Sequence, residues 1–165
     1  MQRFIGCLGI IIGLWSVSAI AQPEVQLGIN IGEPTSVQKR AIGEAAKVMD
    51  DFMQAFNAQD SARWASTLLF PHVRISSGGV VVHPSREEFI EQMDFQAFAR
   101  TYNWQRSAWD SLNVVQADAN KVHIAVQFTR YNPQQKPLAS VESRYILQPD
   151  AAGTWGIRAR SSFAP

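Results

Sequence analysis

The segment 121–131 alternates apolar residues with more polar ones along its whole length. One face would carry Val122, Ile124, Val126 and Phe128, and the other His123, Ala125, Gln127 and Thr129. Successive side chains of a strand point to opposite sides, so this alternation is typical of a strand with one buried face. We therefore predict a half-buried strand at the centre of a sheet.

Three further segments extend this strand into a meander. Segments 138–148 and 154–163 follow it, after connections rich in proline, glycine and asparagine. Segment 105–117, with Trp109 in its middle, precedes it. Such connections favour tight turns between neighbouring strands. The C-terminal half of the chain is therefore predicted to form four antiparallel strands.

A long amphipathic helix is predicted upstream of the meander. Thr35 or Ser36 would cap it, and Gln38 lies at the capping-box position relative to Thr35. Residues 57–60 would end it. Apolar residues recur at helical spacing at Ile42, Ala45, Met49, Phe52, Met53 and Phe56.

A short second helix and a hairpin are predicted next. Asp60 would cap the helix, and Phe70-Pro71 would stop it, because the residue before a proline disfavours helical geometry. Segments 72–77 and 80–83 flank Gly78-Gly79, a pair that suits a two-residue hairpin turn.

A third helix completes the predicted elements. Ser85 would cap it with Glu88 at the capping-box position, and Asn103 would end it. Helices separated in sequence from an antiparallel meander are typical of an α+β domain. We expect a curved antiparallel sheet with helices on its concave face, forming a cone around an apolar pocket.

The N-terminus has the features of a signal peptide. Arg3 provides a positive charge, residues 4–17 are apolar, and residues 19–21 form a small-residue cleavage site. An uncleaved membrane anchor is the alternative, and lipidation at Cys7 is less favoured because Cys7 precedes most of the apolar run. We therefore expect a periplasmic or secreted protein, with no membrane attachment after cleavage. The predicted organisation is a signal peptide (1–21), a flexible N-terminal arm (22–35) and one domain (36–165).

Composition excludes several classes of function. The chain has 15 basic and 14 acidic residues, and this balance argues against a nucleic-acid partner, which would require a basic face. Cys7 would leave with the signal peptide, so the mature protein would lack a disulfide and a thiol nucleophile. The three histidines are too dispersed in sequence for a metal signature, and no cofactor is expected.

Three segments together resemble the NTF2-like superfamily, in its SnoaL-like and ketosteroid-isomerase-like branch. They are AFNAQD at 55–60 followed by Trp64, FPHVRISSG at 70–78, and WGIRARSSF at 155–163. The resemblance covers roughly residues 38–163 and is closest to exported bacterial members. It implies the cone-shaped fold, but the superfamily includes isomerases, cyclases, dehydratases, epoxide hydrolases and non-catalytic domains.

The isomerase pattern of that branch can be transferred position by position. Its tyrosine corresponds to Phe52, its proton-shuttling aspartate to Ser77 and its buried acid to a position near Ser143. Phenylalanine cannot donate a hydrogen bond, and serine is no base without a helper. The resemblance therefore does not carry the isomerase mechanism over, and the catalytic residues stay unknown.

Alternation selects the side chains that would line the pocket. The interior face would include Arg130, then Val141, Ser143, Tyr145 and Leu147, and then Trp155, Ile157, Ala159, Ser161 and Phe163. Arg130 would either meet a ligand carboxylate or reach solvent over its apolar stem. The candidate ligand-binding residues are Phe56, Trp64, Trp109, Phe128, Arg130, Ser143, Tyr145 and Ser161.

The alternate residues of the same strands, which would point away from the pocket, define the expected outer sheet face. It would carry His123, Gln127, Thr129, Tyr131, Glu142, Arg144, Arg158 and Arg160. Cross-strand pairs of Glu142 with Arg158 or Arg160 would suit the interface of a homodimer.

Three functions stay open from the sequence. The first is an exported domain that binds a small, mostly apolar molecule in the cone pocket. The second is an enzyme of the same fold, an isomerase, dehydratase or hydrolase with a non-standard site. The third is a dimeric assembly module that uses its outer sheet face.

Overall fold

The computed structural model describes residues 22–28 and 32–164. The helices there are α1 (Ser36–Asn57), α2 (Ser61–Ala65), α3 (Arg86–Gln92) and α4 (Phe95–Tyr102). The strands are β1 (Val25–Leu27), β2 (Leu68–Ser76), β3 (Gly79–His83), β4 (Arg106–Ala117), β5 (Val122–Tyr131), β6 (Pro137–Pro149) and β7 (Trp155–Ser162). The predicted signal peptide, 1–21, lies outside the described residues.

The strands form one sheet in the order β1-β4-β5-β6-β7-β2-β3. The meander from β4 to β7 is antiparallel throughout, as the sequence predicted. The sheet as a whole is mixed, because β1 runs parallel to β4 and β2 runs parallel to β7. The curved sheet and the helices on it confirm the α+β class and the predicted cone.

Helix α1 provides much of the core. Thr35 caps it in the predicted capping box, in which Thr35 and Gln38 each accept a hydrogen bond from the other's backbone N–H. Its apolar face buries Ala45, Met49, Phe52 and Met53 among other residues. At its C-terminal end, the Asn57 side chain donates to the carbonyl of Ser107 at 2.9 Å and accepts from the N–H of Ser107 at 2.8 Å. These two bonds fix α1 against β4.

Two local predictions about β2 and β3 are wrong. Phe70-Pro71 does not end α2 but lies inside β2, joined by a cis peptide bond. The hairpin turn is Ser77-Gly78 instead of Gly78-Gly79, because Ser76 already pairs with Gly79. Gly79 has φ of +131°, a conformation that glycine adopts at little cost.

The predicted third helix is two helices. Met93 is in an extended conformation after α3, and Asp94 then caps α4 by accepting from the N–H of Ala97 at 2.8 Å. An aspartate at this position competes for the backbone more effectively as a cap than as an interior helical residue. The break turns α4 relative to the chain before it, and Phe95 at the start of α4 is buried.

A bulge in β7 reverses the predicted alternation of its C-terminal half. Leu147 pairs with Ile157, but the adjacent Ile146 pairs with Ala159, so Arg158 is an extra residue. Beyond the bulge Arg160 faces the interior and Ser161 is exposed. The predictions that Ala159, Ser161 and Phe163 face inward and Arg160 outward are therefore wrong. Phe163 is 77% exposed.

The segment predicted as a flexible arm contains β1. Val25 and Leu27 pair in parallel register with Leu112 and Val114 of β4, and the N–H of Gly28 donates to the carbonyl of Val114 at 2.7 Å. Val25 packs against the core. Among the helices of the described residues, none is both long and apolar enough to cross a bilayer.

The outer sheet face carries both buried polar side chains and exposed apolar ones. Thr129 is buried there, and its hydroxyl bonds to Asp110 and to Ser140, each at 2.6 Å. On the same face of the β2–β3 hairpin, Val80 and Val82 are more than half exposed. The homodimer stays a prediction.

Candidate ligand cavity

A cavity of about 280 Å³ lies inside the cone, between the sheet and helices α1 to α4. This volume is near the lower end of the range for small-molecule sites, roughly 300–1,000 Å³. Its walls are mainly aromatic, with contributions from every layer of the fold. The aromatic side chains among them include Phe52, Phe56, Trp64, Phe98, Trp109 and Tyr145.

The aromatic walls are packed against one another. Phe56 lies 5.0 Å from Trp64 and 5.0 Å from Trp104 between ring centroids, and Trp109 meets Tyr145 edge to face at 5.8 Å. The indole N–H of Trp109 donates to the carbonyl of Met49 at 3.2 Å. Rings held in this way keep their positions, so the cavity has a defined shape before any ligand arrives.

Three arginines also line the cavity. Arg74 lies on β2, Arg130 on β5 and Arg160 on β7. Arg74, Arg160 and Tyr145 occupy paired positions on three neighbouring strands, because Arg160 pairs with Arg74 on one side and with Tyr145 on the other. Arg160 also hydrogen-bonds to the Tyr145 hydroxyl. The sheet therefore places these side chains in one row.

Aromatic rings surround two of these cations. The guanidinium carbon of Arg160 lies 5.2 Å from the ring centre of Trp64 and 5.6 Å from that of Phe52. That of Arg130 lies 5.1 Å from the ring centre of Phe98 and 5.6 Å from that of Tyr102. A ring face attracts a cation without occupying its N–H donors.

Among the described residues that line the cavity there is no aspartate or glutamate. Burial lowers the pKa of Arg130 and of Arg160, and repulsion from Arg74 lowers both further. Burial raises the pKa of the Tyr145 hydroxyl, and Arg160 opposes that rise. The phenol therefore stays protonated at neutral pH, and the cavity is cationic.

Two histidines lie beside the arginines. His72 and His83 pair across the β2–β3 hairpin, and their rings stack with centroids 6.1 Å apart. Burial, reinforced by Arg160, lowers the pKa of His72 to about 3 and also lowers the pKa of His83. His72 accordingly stays neutral at physiological pH, and its Nδ1 is 3.0 Å from the carbonyl of Ile157.

Six of the eight predicted ligand-binding residues line the cavity: Phe56, Trp64, Trp109, Phe128, Arg130 and Tyr145. Ser143 is buried and its hydroxyl donates to Ser162 at 2.6 Å, so Ser162 is the serine of this pair that reaches the cavity. Ser161 is exposed on the other face. Whether these residues bind a ligand stays a prediction.

The sequence reasoning missed Arg74, His83 and Arg160. Alternation from the inward-facing His72 would have found Arg74, but no signal marked the bulge that turns Arg160 inward. Of the isomerase positions, Phe52 lines the cavity and Ser77 lies exposed in the hairpin turn. Within the described part of the chain, no three histidine, cysteine or acidic side chains are grouped to hold a metal ion.

Comparison with known proteins supports the fold. Residues 43–162 match the sequence model of a family described as NTF2-like protein (DUF6841). No curated protein matches the chain.

Solved structures share the same architecture at low sequence identity. One is a protein of unknown function with a cystatin-like fold from Nostoc punctiforme, with a TM-score of 0.62 and 16% identity over 80% of this chain and 94% of that one. A Catenulispora acidiphila protein in complex with S-DNPA has a TM-score of 0.60 and 17% identity, covering 76% and 94%. ActVI-ORFA from Streptomyces coelicolor has a TM-score of 0.57 and 18% identity, covering 74% and 96%.

Proposed function

This chain belongs to the NTF2-like family DUF6841, and from that premise we propose that it binds a small, mostly apolar molecule inside the cone. The observation that carries the proposal is the cavity of about 280 Å³ with preformed aromatic walls. Protein interiors are normally packed with few voids larger than a water molecule. A cavity of this size, lined by rings that already support one another, is suited to a ligand.

Two further facts support a binding role. The Catenulispora acidiphila protein of similar fold is described in complex with S-DNPA. In the present chain, the positions that correspond to the acids of ketosteroid isomerases are Ser77 and one near Ser143. Ser77 lies in the exposed hairpin turn, and the hydroxyl of the buried Ser143 donates to Ser162. The described cavity lining thus offers binding surface without the carboxylate of that isomerase mechanism.

The proposal is tested by filling the cavity. The probe is 2-naphthamide, a neutral aromatic compound, titrated while the intrinsic tryptophan fluorescence is followed. Ser162→Phe would place a ring in the cavity, whereas Ser161→Phe adds the same ring to the outer face one residue away. We expect the first variant to weaken binding by about tenfold or more, equivalent to ~1.4 kcal/mol, and the second to leave it unchanged.

Thermal melting of both variants controls for misfolding. Equal weakening by both substitutions would place the binding site outside the cavity. A wild-type protein that does not bind 2-naphthamide, and that releases no small molecule on denaturation after native purification, would contradict the proposed function.

A further inference from the structure

One donor atom on each of two cavity arginines lacks a partner. The Nε atoms of Arg130 and Arg160 are buried and make no hydrogen bond within the described structure. The ion pair recorded among the described residues joins Arg63 to Asp51, on the surface, so neither cavity arginine has a carboxylate partner. A buried charge without a counter-ion is costly, and proteins rarely retain one unless something else compensates it.

The aromatic rings around these arginines offset the cost of burying their charge only in part. Arg160 lies 5.2 Å from the ring centre of Trp64 and Arg130 lies 5.1 Å from that of Phe98, and such cation–π contacts are weaker than an ion pair with a buried carboxylate. They attract the face of the guanidinium and leave its edge, where the N–H groups point, free of aromatic partners. Each of the two Nε–H groups therefore still requires a hydrogen-bond acceptor, and each guanidinium still requires a negatively charged partner.

The cations also lie on one side of the cavity. Arg74 and Arg160 are cross-strand neighbours, and Arg130 is near enough for its charge to act on both Arg160 and Tyr145. All three come from the sheet, whereas the helices contribute no charged side chain to the described cavity lining and present Met53, Phe56 and Phe89 among others. A molecule complementary to this arrangement has an apolar body and carries its charge at one end.

We propose that the ligand is an apolar carboxylate whose carboxyl group is bound by Arg130 and Arg160. This inference rests on the proposed function and names the chemical class of the molecule. A carboxylate fits better than a phosphate, because a phosphate would direct charged oxygens toward the aromatic walls as well as toward the arginines. Tyr145 adds an uncharged hydroxyl beside Arg160 and can donate to the same carboxylate.

The test compares 2-naphthoate with 2-naphthamide, which have the same ring system and differ in charge. We expect 2-naphthoate to bind about 10–100-fold more tightly, since hydrogen bonds to charged groups contribute about 1.5–3 kcal/mol. Arg160→Gln and Arg130→Gln should each remove most of this preference, measured as the ratio of the two affinities within each variant. Arg144→Gln is the matched control, since Arg144 is exposed on the outer face of β6.

Each outcome decides between the two proposals. Loss of the carboxylate preference in either folded cavity variant, with the control unchanged, supports the arginine anchor. Equal affinities of wild type for the two compounds, or a preference that survives both cavity substitutions, overturns the anchor and leaves the proposed function standing. If neither compound binds the wild-type protein and natively purified protein releases no small molecule on denaturation, the proposed function fails, and the anchor with it.

Discussion

Lowering the pH should destabilise this protein through one buried histidine. His72 is fully buried on β2, its Nδ1 bonds to the carbonyl of Ile157, and its Nε2 has no partner in the described structure. The charged or titratable side chains that act on it are Arg160 on β7 and His83 on β3. Protonation would create a second cation beside Arg160, with no acid to compensate it.

The magnitude follows from the difference between two pKa values. The pKa of His72 is about 3 in the folded state and 6.5 in the unfolded state. Above pH 6.5 the ring is neutral in both states. Between pH 6.5 and about 3 the unfolded chain takes up a proton that the folded chain refuses, so stability falls as the pH falls. At ~1.4 kcal/mol per pH unit, the loss between pH 7 and pH 5 is about 2 kcal/mol.

Urea denaturation of wild type and His72→Asn at several pH values measures this loss. Asparagine keeps an N–H donor near the position of Nδ1 but cannot titrate, so the variant should lose about 2 kcal/mol less than wild type between pH 7 and pH 5. The carboxylates titrate equally in both proteins and cancel. Burial also lowers the pKa of His123, on the outer face of β5, but by less, so His123→Asn is the comparison variant and should reduce the loss by less than His72→Asn does. Parallel pH profiles for wild type and His72→Asn would refute the reasoning.

Three further substitutions test the elements that build the cavity. Asn57→Ala removes both hydrogen bonds to the backbone of the buried Ser107. We expect urea denaturation to show that the free energy of unfolding falls by about 2–4 kcal/mol. A fall of less than about 1 kcal/mol would mean that a water molecule takes the place of the Asn57 amide. Asp94→Ala removes the cap of α4 and should cost ~1 kcal/mol by the same measurement, whereas an unchanged stability would show that tertiary packing alone positions α4. Arg160→Met removes an uncompensated cation and should raise the unfolding free energy of the ligand-free protein by about 1 kcal/mol; a lower melting temperature would show that the aromatic contacts of Arg160 outweigh its burial.

The sequence predicted the elements whose signals are local. The strict alternation of β5 identified its buried face, and the capping box at Thr35 fixed the start of α1. Each of these two signals depends only on residues that are close together in the chain. It can therefore be recognised without knowing which distant segments pack nearby. The break at Asp94 was missed because an aspartate inside a helical pattern is compatible with either a cap or an exposed helical position.

The site was less predictable because its geometry depends on pairing between distant strands. The register of β7 is set by β6 on one side and β2 on the other, and both pairings shift at Arg158. On the N-terminal side of the shift, alternation correctly predicts which side chains face the core, and Ile157 is buried as expected. After it, every side chain changes face, since a register shift of one residue exchanges the two faces of a strand.

The chemistry of the cavity therefore depends on one extra residue. If β7 were regular, Ser161 would line the cavity, and Arg160 would lie on the outer face beside the arginines already there. The side chain of Arg158 donates to the carbonyl of Phe70 at 2.8 Å, which ties the bulged residue to β2. The overall fold is shared with structures 16–18% identical to this chain. The bulge thus adds Arg160 to a cavity that Arg74 and Arg130 line from other strands. The selectivity for carboxylates inferred here is for that reason a property to be tested in this chain and not one to be transferred from its structural neighbours.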